Sequence, residues 1–326
     1  MADTEATGDG PVFVEVPARP TVSFELYPPR SPEGEAALHA VLPELLAVHP
    51  EFISVTYGAS GSTRGVSLDV LRHLLRNTDV RPMAHLTCVG SSYAEASRLI
   101  REFLDAGVTS FLALRGDPPA GVAPEDVVLG DLRSAGELVQ LIHRVQAERA
   151  PFALRDVPGF PGAKRLSSGE RVTIAVAAFP NGHPRSRSVQ QDLDALLAKQ
   201  AAGANLAITQ LFFEADDYLS FVDRARSAGV TMRILPGIMP VVSPARLRRI
   251  VELTGERMPH ELMRDLERAD DPVAVGIAQA TALVRRVLEG GADGIHLYTF
   301  NRADAPLAVL RGAGLLDPVP PSKEYA

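Results

Sequence analysis

Tryptophan is absent from this 326-residue chain, and cysteine occurs once, at Cys88. A single cysteine excludes an internal disulfide, offers no cysteine-based metal site and fits a reducing compartment. No apolar run reaches the ~18–20 residues needed to cross a bilayer. The opening residues, MADTEATGDG, are acidic and polar where a secretory leader is basic and then apolar. The expected setting is therefore cytoplasmic. No basic block offsets the formal charge of −7, which argues against nucleic acid or an anionic membrane as partner. Also missing are an HExxH helix, a GxSxG elbow, a P-loop and a GxGxxG turn after the first strand. Zinc chemistry and nucleophilic acyl transfer have no residues to stand on, and no metal site is expected.

What is present is a repeating alternation. TVSFELYPPR, FISVTYGAS, MAHLTCVG, SFLALRGDPP, VTIAVAAFP, AITQLFF, MRILPGIMPV and GIHLYTFNR read as strands. Helical patterns lie between them, among them Glu35 to Val48 with Pro43 inside it, Leu68 to Arg76, Tyr93 to Ala106 and Ser134 to Glu148. Strands alternating with helices around a closed count predict a single (β/α)8 TIM barrel in the α/β class. Two intervals are out of scale. The Gly- and Pro-rich stretch from Ala150 to Glu170 reads as an insertion before strand five, a surface loop or subunit contact on the lower face. Thr254 to Ala269 should hold an extra helix before strand eight. Residues 1–19 read as a disordered tail, 20–315 as the catalytic barrel and 316–326 as a C-terminal tail.

Polar residues collect where these strands end. They are Glu25, Thr56 with Tyr57, His85 with Thr87, Arg115 with Asp117, His183, Gln210, and Tyr298 with Asn301 and Arg302. In the first strand Val22, Phe24 and Leu26 share one face and Ser23 and Glu25 the other, so packing the aliphatic face under helices turns Glu25 inward. Gly116 lets backbone come close to a ligand. Gln210 inside an apolar strand must find partners or cost ~1–3 kcal/mol. Asp192 and Lys199, seven apart, can share a helix face. One interior acid, many hydrogen-bonding groups and no nucleophile suit redox chemistry on a bound heterocycle, with a cofactor supplying electrons.

FELYPPR, VTYGASGSTR, AHLTCVG, ALRGDPP, FPNGHP, AITQLFF, PGIMPV and YTFNR, in this order from about Thr21 to Arg302, resemble the methylenetetrahydrofolate reductase family. The resemblance implies a barrel that reduces 5,10-methylenetetrahydrofolate to 5-methyltetrahydrofolate. It also implies NAD(P)H as hydride donor, with NADH favoured, and usually FAD as relay. The family's catalytic acid falls on Glu25, its flavin-tuning aspartate on Asp117 and its substrate-orienting glutamine on Gln210. Its flavin contacts fall on Thr56, His85, Leu114, Arg115, Gly116, Ala135, His183, Asp192 and Lys199. Tyr298 joins Gln210 as a substrate contact, and Arg302, by charge and position, would meet the folate's glutamate carboxylate. The chain departs from the family pattern at Ser134, Phe179, Arg185 and Gly65, mostly around the expected flavin pocket. Two hydride routes stay open, through FAD or directly from NAD(P)H. Another flavin or deazaflavin barrel reductase, or a non-catalytic folate or nucleotide sensor, also stays open. The partner implied is a reduced folate, and a homo-oligomer is left open.

Overall fold

The computed structural model describes residues 19–56, 64–116, 130–149, 153–157, 160–167 and 172–316. Strands β1 (Thr21–Leu26), β2 (Phe52–Val55), β3 (Arg81–Thr87) and β4 (Ser110–Leu114) are each followed by a helix: α1 (Pro32–Leu46), α2 (Arg64–Asn77), α3 (Tyr93–Asp105) and α4 (Ala135–Arg149). Next comes a short pair, β5 (Ala153–Val157) and β6 (Phe160–Ser167). The alternation then resumes with β7 (Thr173–Ala178), α5 (Val189–Ala201), β8 (Leu206–Thr209), α6 (Ala215–Ser227), β9 (Arg233–Leu235) and β10 (Gly237–Ile238). Helices α7 (Pro244–Thr254), α8 (His260–Arg268) and α9 (Pro272–Glu289), strand β11 (Gly294–Tyr298) and α10 (Asp304–Gly312) complete the described chain.

The main sheet runs β10-β11-β1-β2-β3-β4-β7-β8-β9, and every pairing in it is parallel. β9 and β10 are one strand interrupted at Pro236, whose carbonyl accepts from His296 N–H at 2.9 Å, so nine segments close an eight-position barrel. Serine starts recur because the helix N–H groups need acceptors. Ser92 and Glu95 form a capping box on α3, and Ser31, Ser188 and Ser243 cap α1, α5 and α7.

Alternation sorts the core into two layers. Val22, Phe24 and Leu26 pack outward with Leu38, Leu42 and Leu45 of α1, while Phe52, Met83, Leu112, Ala175, Leu206, Ile208 and Leu235 fill the barrel interior. The extra helix expected between Thr254 and Ala269 is α8. Its Leu262, Met263 and Leu266 cover Leu211, Phe213, Val241, Leu247 and Ile250. The interval read from sequence as a loop contains an antiparallel pair, β5 with β6, running from Ala153↔Ser167 to a register shift at Asp156/Val157. Its glycines and prolines hide the strand pattern.

Candidate active site

Glu25 is the fifth residue of β1 and lies opposite Tyr298 of β11 and Ser54 of β2 in the parallel ladders. It is half-buried and faces the barrel interior, because the aliphatic face of its strand is taken by α1. Two imidazoles converge on it. His85 Nε2 lies 3.6 Å from Glu25 Oε2 and His296 Nε2 lies 4.0 Å from the same oxygen. Both distances exceed a hydrogen bond, and neither Nε2 has a partner among the described residues. Burial holds His85 below the usual imidazole range, against the pull of Glu25 and together with His296, so at neutral pH it is not the cation of an ion pair.

Ser23 ties His296 to the first strand: its hydroxyl donates to the Ile295 carbonyl at 3.1 Å and lies 2.9 Å from His296 Nδ1, which leaves Nε2 turned toward Glu25. Ser23 and His296 were not among the residues singled out from sequence. The signal was there, since Gly294, His296 and Tyr298 alternate onto the face that Tyr298 shares.

Around this centre the other predicted groups take different places. The Tyr298 ring lines the interior beside Glu25, but its hydroxyl is committed to the Thr209 carbonyl at 2.8 Å. Burial, then the nearby Glu25, keep its phenol protonated well above the usual range. Gly237 allows this crossing, since a Cβ there would sit 2.2 Å from Thr209 O and 2.8 Å from Tyr298 Oη. Gln210 follows β8, half-buried, with its side-chain oxygen accepting from Leu211 N–H at 2.9 Å. Its amide nitrogen is unbonded among the described residues. Thr56 follows β2, its carbonyl accepting from Ser67 at 3.0 Å. Arg302 is exposed at the rim and forks onto Asp304 at 2.7 and 3.1 Å. Asp117 and Tyr57 lie outside the described residues.

A cationic wall flanks the acid at the exits of β4 and β7. Leu114 closes β4 against the interior cluster, and Arg115 follows, its carbonyl accepting from Val89 N–H at 2.8 Å. Gly116 has φ +87°, and a Cβ there would lie 2.8 Å from Val89 Cγ1 and 3.0 Å from Thr87 Cβ, so only glycine fits. On α5, Lys199 donates to the Ala177 carbonyl at 2.8 Å. Burial, with Arg115 nearby and against Asp192, lowers its ammonium to about 8. Asp192 accepts from Ser186 Oγ and, at 3.2 Å, from His183 N–H. His183 Nδ1 accepts from Arg185 N–H at 3.0 Å, and burial with Arg115 and Arg185 keeps this ring neutral. Ala135 opens α4, buried, behind Ser134, whose hydroxyl accepts from Glu137 N–H at 3.2 Å. Cys88, expected on a strand, lies one residue past β3, buried, its thiol pushed up to about 11 by burial. It is inert at neutral pH.

Arg115, Arg185, Asp192 and Lys199 all lie within electrostatic reach of His183, and the Lys199 ammonium and the two guanidiniums are groups of the kind that bind the diphosphate of a dinucleotide. Among the described residues no helix is long and apolar enough to cross a membrane, and no group of three His, Cys, Asp or Glu side chains could hold a metal ion.

A closed parallel barrel with a convergent acid and a cationic wall at its C-terminal mouth defines a TIM-barrel enzyme with its site in the usual place for that class. The family model described as methylenetetrahydrofolate reductase matches residues 14–314. The chain is 32% identical, over 93% of its length and 94% of the relative's, to the 5,10-methylenetetrahydrofolate reductase of Escherichia coli (strain K12). It is 31% identical, over 96% of this chain and 50% of the relative, to methylenetetrahydrofolate reductase (NADH) 1 of Zea mays. In fold it is similar to a Clostridium thermocellum protein described as binding two copies of 5-methyl-5,6,7,8-tetrahydrofolic acid, with TM-score 0.59 at 12% identity over 90% of this chain and 94% of that one. The chain belongs to the methylenetetrahydrofolate reductase family.

Proposed function

We propose that this chain reduces 5,10-methylenetetrahydrofolate to 5-methyltetrahydrofolate in the cytoplasm, with NADH as the favoured hydride source. The observation that carries the reading is Glu25, aimed into the barrel mouth with two imidazole nitrogens on one of its oxygens. The bridging carbon of the substrate is bonded to two ring-system nitrogens. Proton transfer from Glu25 to the departing nitrogen breaks one of those bonds and leaves an iminium carbon. A hydride then adds there to give the methyl group, and solvent returns a proton to Glu25. Gln210 orients the pterin through the amide nitrogen left over from its Leu211 bond. By the family resemblance Asp117, outside the described residues, takes the place of a pterin or flavin contact. Consumption of NADH that depends on methylenetetrahydrofolate tests the activity, and oxidation of NADH without folate dependence would point to a different barrel reductase.

By the family resemblance Arg115, His183, Asp192 and Lys199, together with Thr56, His85, Leu114, Gly116 and Ala135, would hold FAD. When bound, FAD accepts a hydride from the nicotinamide and returns it to a second acceptor. A second route, in which NADH delivers directly to the folate, is favoured by Phe179. Its ring packs edge-on against His183 with centroids 4.7 Å apart and offers no hydroxyl to a cofactor. Flavin absorbance in freshly purified protein distinguishes the two: its presence supports the relay, and colourless active protein supports direct transfer.

The lowered Lys199 sets a pH dependence for binding. Its ammonium is charged below about 8 and neutral above, so an anionic dinucleotide beside it should lose affinity as pH rises through that value. The dissociation constants of FAD and of NADH, titrated separately by fluorescence, should rise for the ligand held here by about tenfold between pH 7 and 9. Lys199→Met should bind that ligand weakly, with the dependence flattened. An unchanged profile in the variant removes Lys199 from the site.

A further inference from the structure

At the rim beyond Tyr298 a cleft is lined by Pro240, Val242, Arg246, Phe300, Arg302 and Asp304. Asp304 accounts for Arg302. Arg246 is left over: it is half-buried, has no ion-pair partner among the described residues, and sits in the first turn of α7, where no acidic side chain accompanies it. A cation there is opposed by the helix dipole. Its guanidinium lies 4.5 Å over the Phe300 ring.

Phe300 is itself held at a cost. Phe300 and Asn301 are consecutive non-glycine residues with φ +52° and +56°, a conformation worth roughly 1–3 kcal/mol of strain each. Asn301 keeps it in place by accepting from Tyr27 N–H at 3.0 Å and donating to the Tyr27 carbonyl at 2.8 Å, while Tyr27 Oη donates to Phe300 O at 3.1 Å. Thr299 Oγ1 donates to the Glu25 carbonyl at 2.7 Å. The strained turn therefore fixes an arginine-capped aromatic face to the same strand that presents the acid. A substrate whose heterocycle is held at Glu25 would send its tail out over this face.

We propose that Arg246 binds the γ-linked glutamate tail of the folate and determines preference for tail length. This rests on the folate reading above. The cleft brings two guanidiniums and one carboxylate, a net positive charge, and each added γ-glutamyl unit brings one more carboxylate. Arg302 is already engaged by Asp304, whereas Arg246 has its charge and its planar donors to give.

The test compares mono- and triglutamyl methylenetetrahydrofolate in the unaltered protein, Arg246→Ala and Arg246→Lys, together with equilibrium binding of mono- and triglutamyl 5-methyltetrahydrofolate. The unaltered protein should favour the triglutamyl forms by about 2–5-fold in KM and Kd, the scale of one solvent-exposed charge contact. Arg246→Ala should bring that ratio close to one at unchanged kcat and unchanged KM for NADH, with Arg246→Lys between. A ratio that survives in Arg246→Ala overturns the proposal, as does a change confined to the KM for NADH, which would assign Arg246 to the dinucleotide. Absence of any turnover and any folate binding in the unaltered protein overturns the folate reading itself, and this proposal with it.

Discussion

Replacing Glu25 with Gln should lower turnover by about 10²–10⁴-fold, the range that positioned acids contribute, and leave binding of a reduced folate nearly unchanged. Gln keeps the volume and one hydrogen-bonding oxygen, so the half-buried site survives, and the packing of the opposite face of β1 on α1 is untouched. What it loses is a transferable proton at the atom that faces His85 and His296. His85 does not take over, because burial holds it below the usual imidazole range. The defect should therefore appear in kcat and kcat/KM together, the mark of an interaction made only in the transition state. Steady-state kinetics with methylenetetrahydrofolate, beside a Kd for 5-methyltetrahydrofolate, measures this. Turnover within threefold of the unaltered protein, a threshold well below the expected ~10²-fold loss, would remove Glu25 as the acid.

The part of this site that could be read from sequence is the part written in short-range alternation. TVSFEL states which way Glu25 points, since three apolar residues on one face demand a helix above them. The same arithmetic turns His296 of GIHLY and its ladder partner Ser23 inward, but a lone histidine or serine in an apolar strand has many uses. Their meaning depends on a contact spanning residues 273 apart in the chain. The wall around Lys199 was legible only as a list of residue types. That Lys199 is buried enough to titrate near 8, and that Arg115 helps to push it there, needs the distance between β4 and α5. Nothing in YTFNR announces two left-handed non-glycine residues in a row. Their conformation is imposed from outside by the Tyr27 backbone, an override of local preference by tertiary hydrogen bonds.

At the opposite end of the barrel the largest effect on stability is expected from Arg233. Its Nε donates to both carboxylate oxygens of Asp293, at 2.9 and 2.8 Å, and its Nη1 to both of Glu51, at 2.9 and 2.8 Å, while Nη2 reaches Thr21 Oγ1. One guanidinium thus ties β9 to the residues that enter β2 and β11 and to the first residue of β1. It bridges the place where the ring of strands has its break at Pro236. Gly294 is confined by the same knot, since a Cβ there would fall 2.8 Å from Arg233 Nη2. Arg233→Met fills similar volume but leaves two carboxylates facing each other without a cation. The three side chains are 22–32% exposed, so the loss should lie somewhat below that of a fully buried pair, about 2–4 kcal/mol. Urea unfolding should show it as a lower midpoint at similar slope. Arg233→Lys should recover less than half, because an ammonium cannot fork onto two carboxylates at once. Adding Glu51→Gln and Asp293→Asn to Arg233→Met should recover most of the loss, since the cost lies in stranded charge. A midpoint for Arg233→Met within error of the unaltered protein would mean that the knot adds nothing to closure. Turnover of the folded variant should be unchanged in either case, because this floor lies on the face of the barrel away from Glu25.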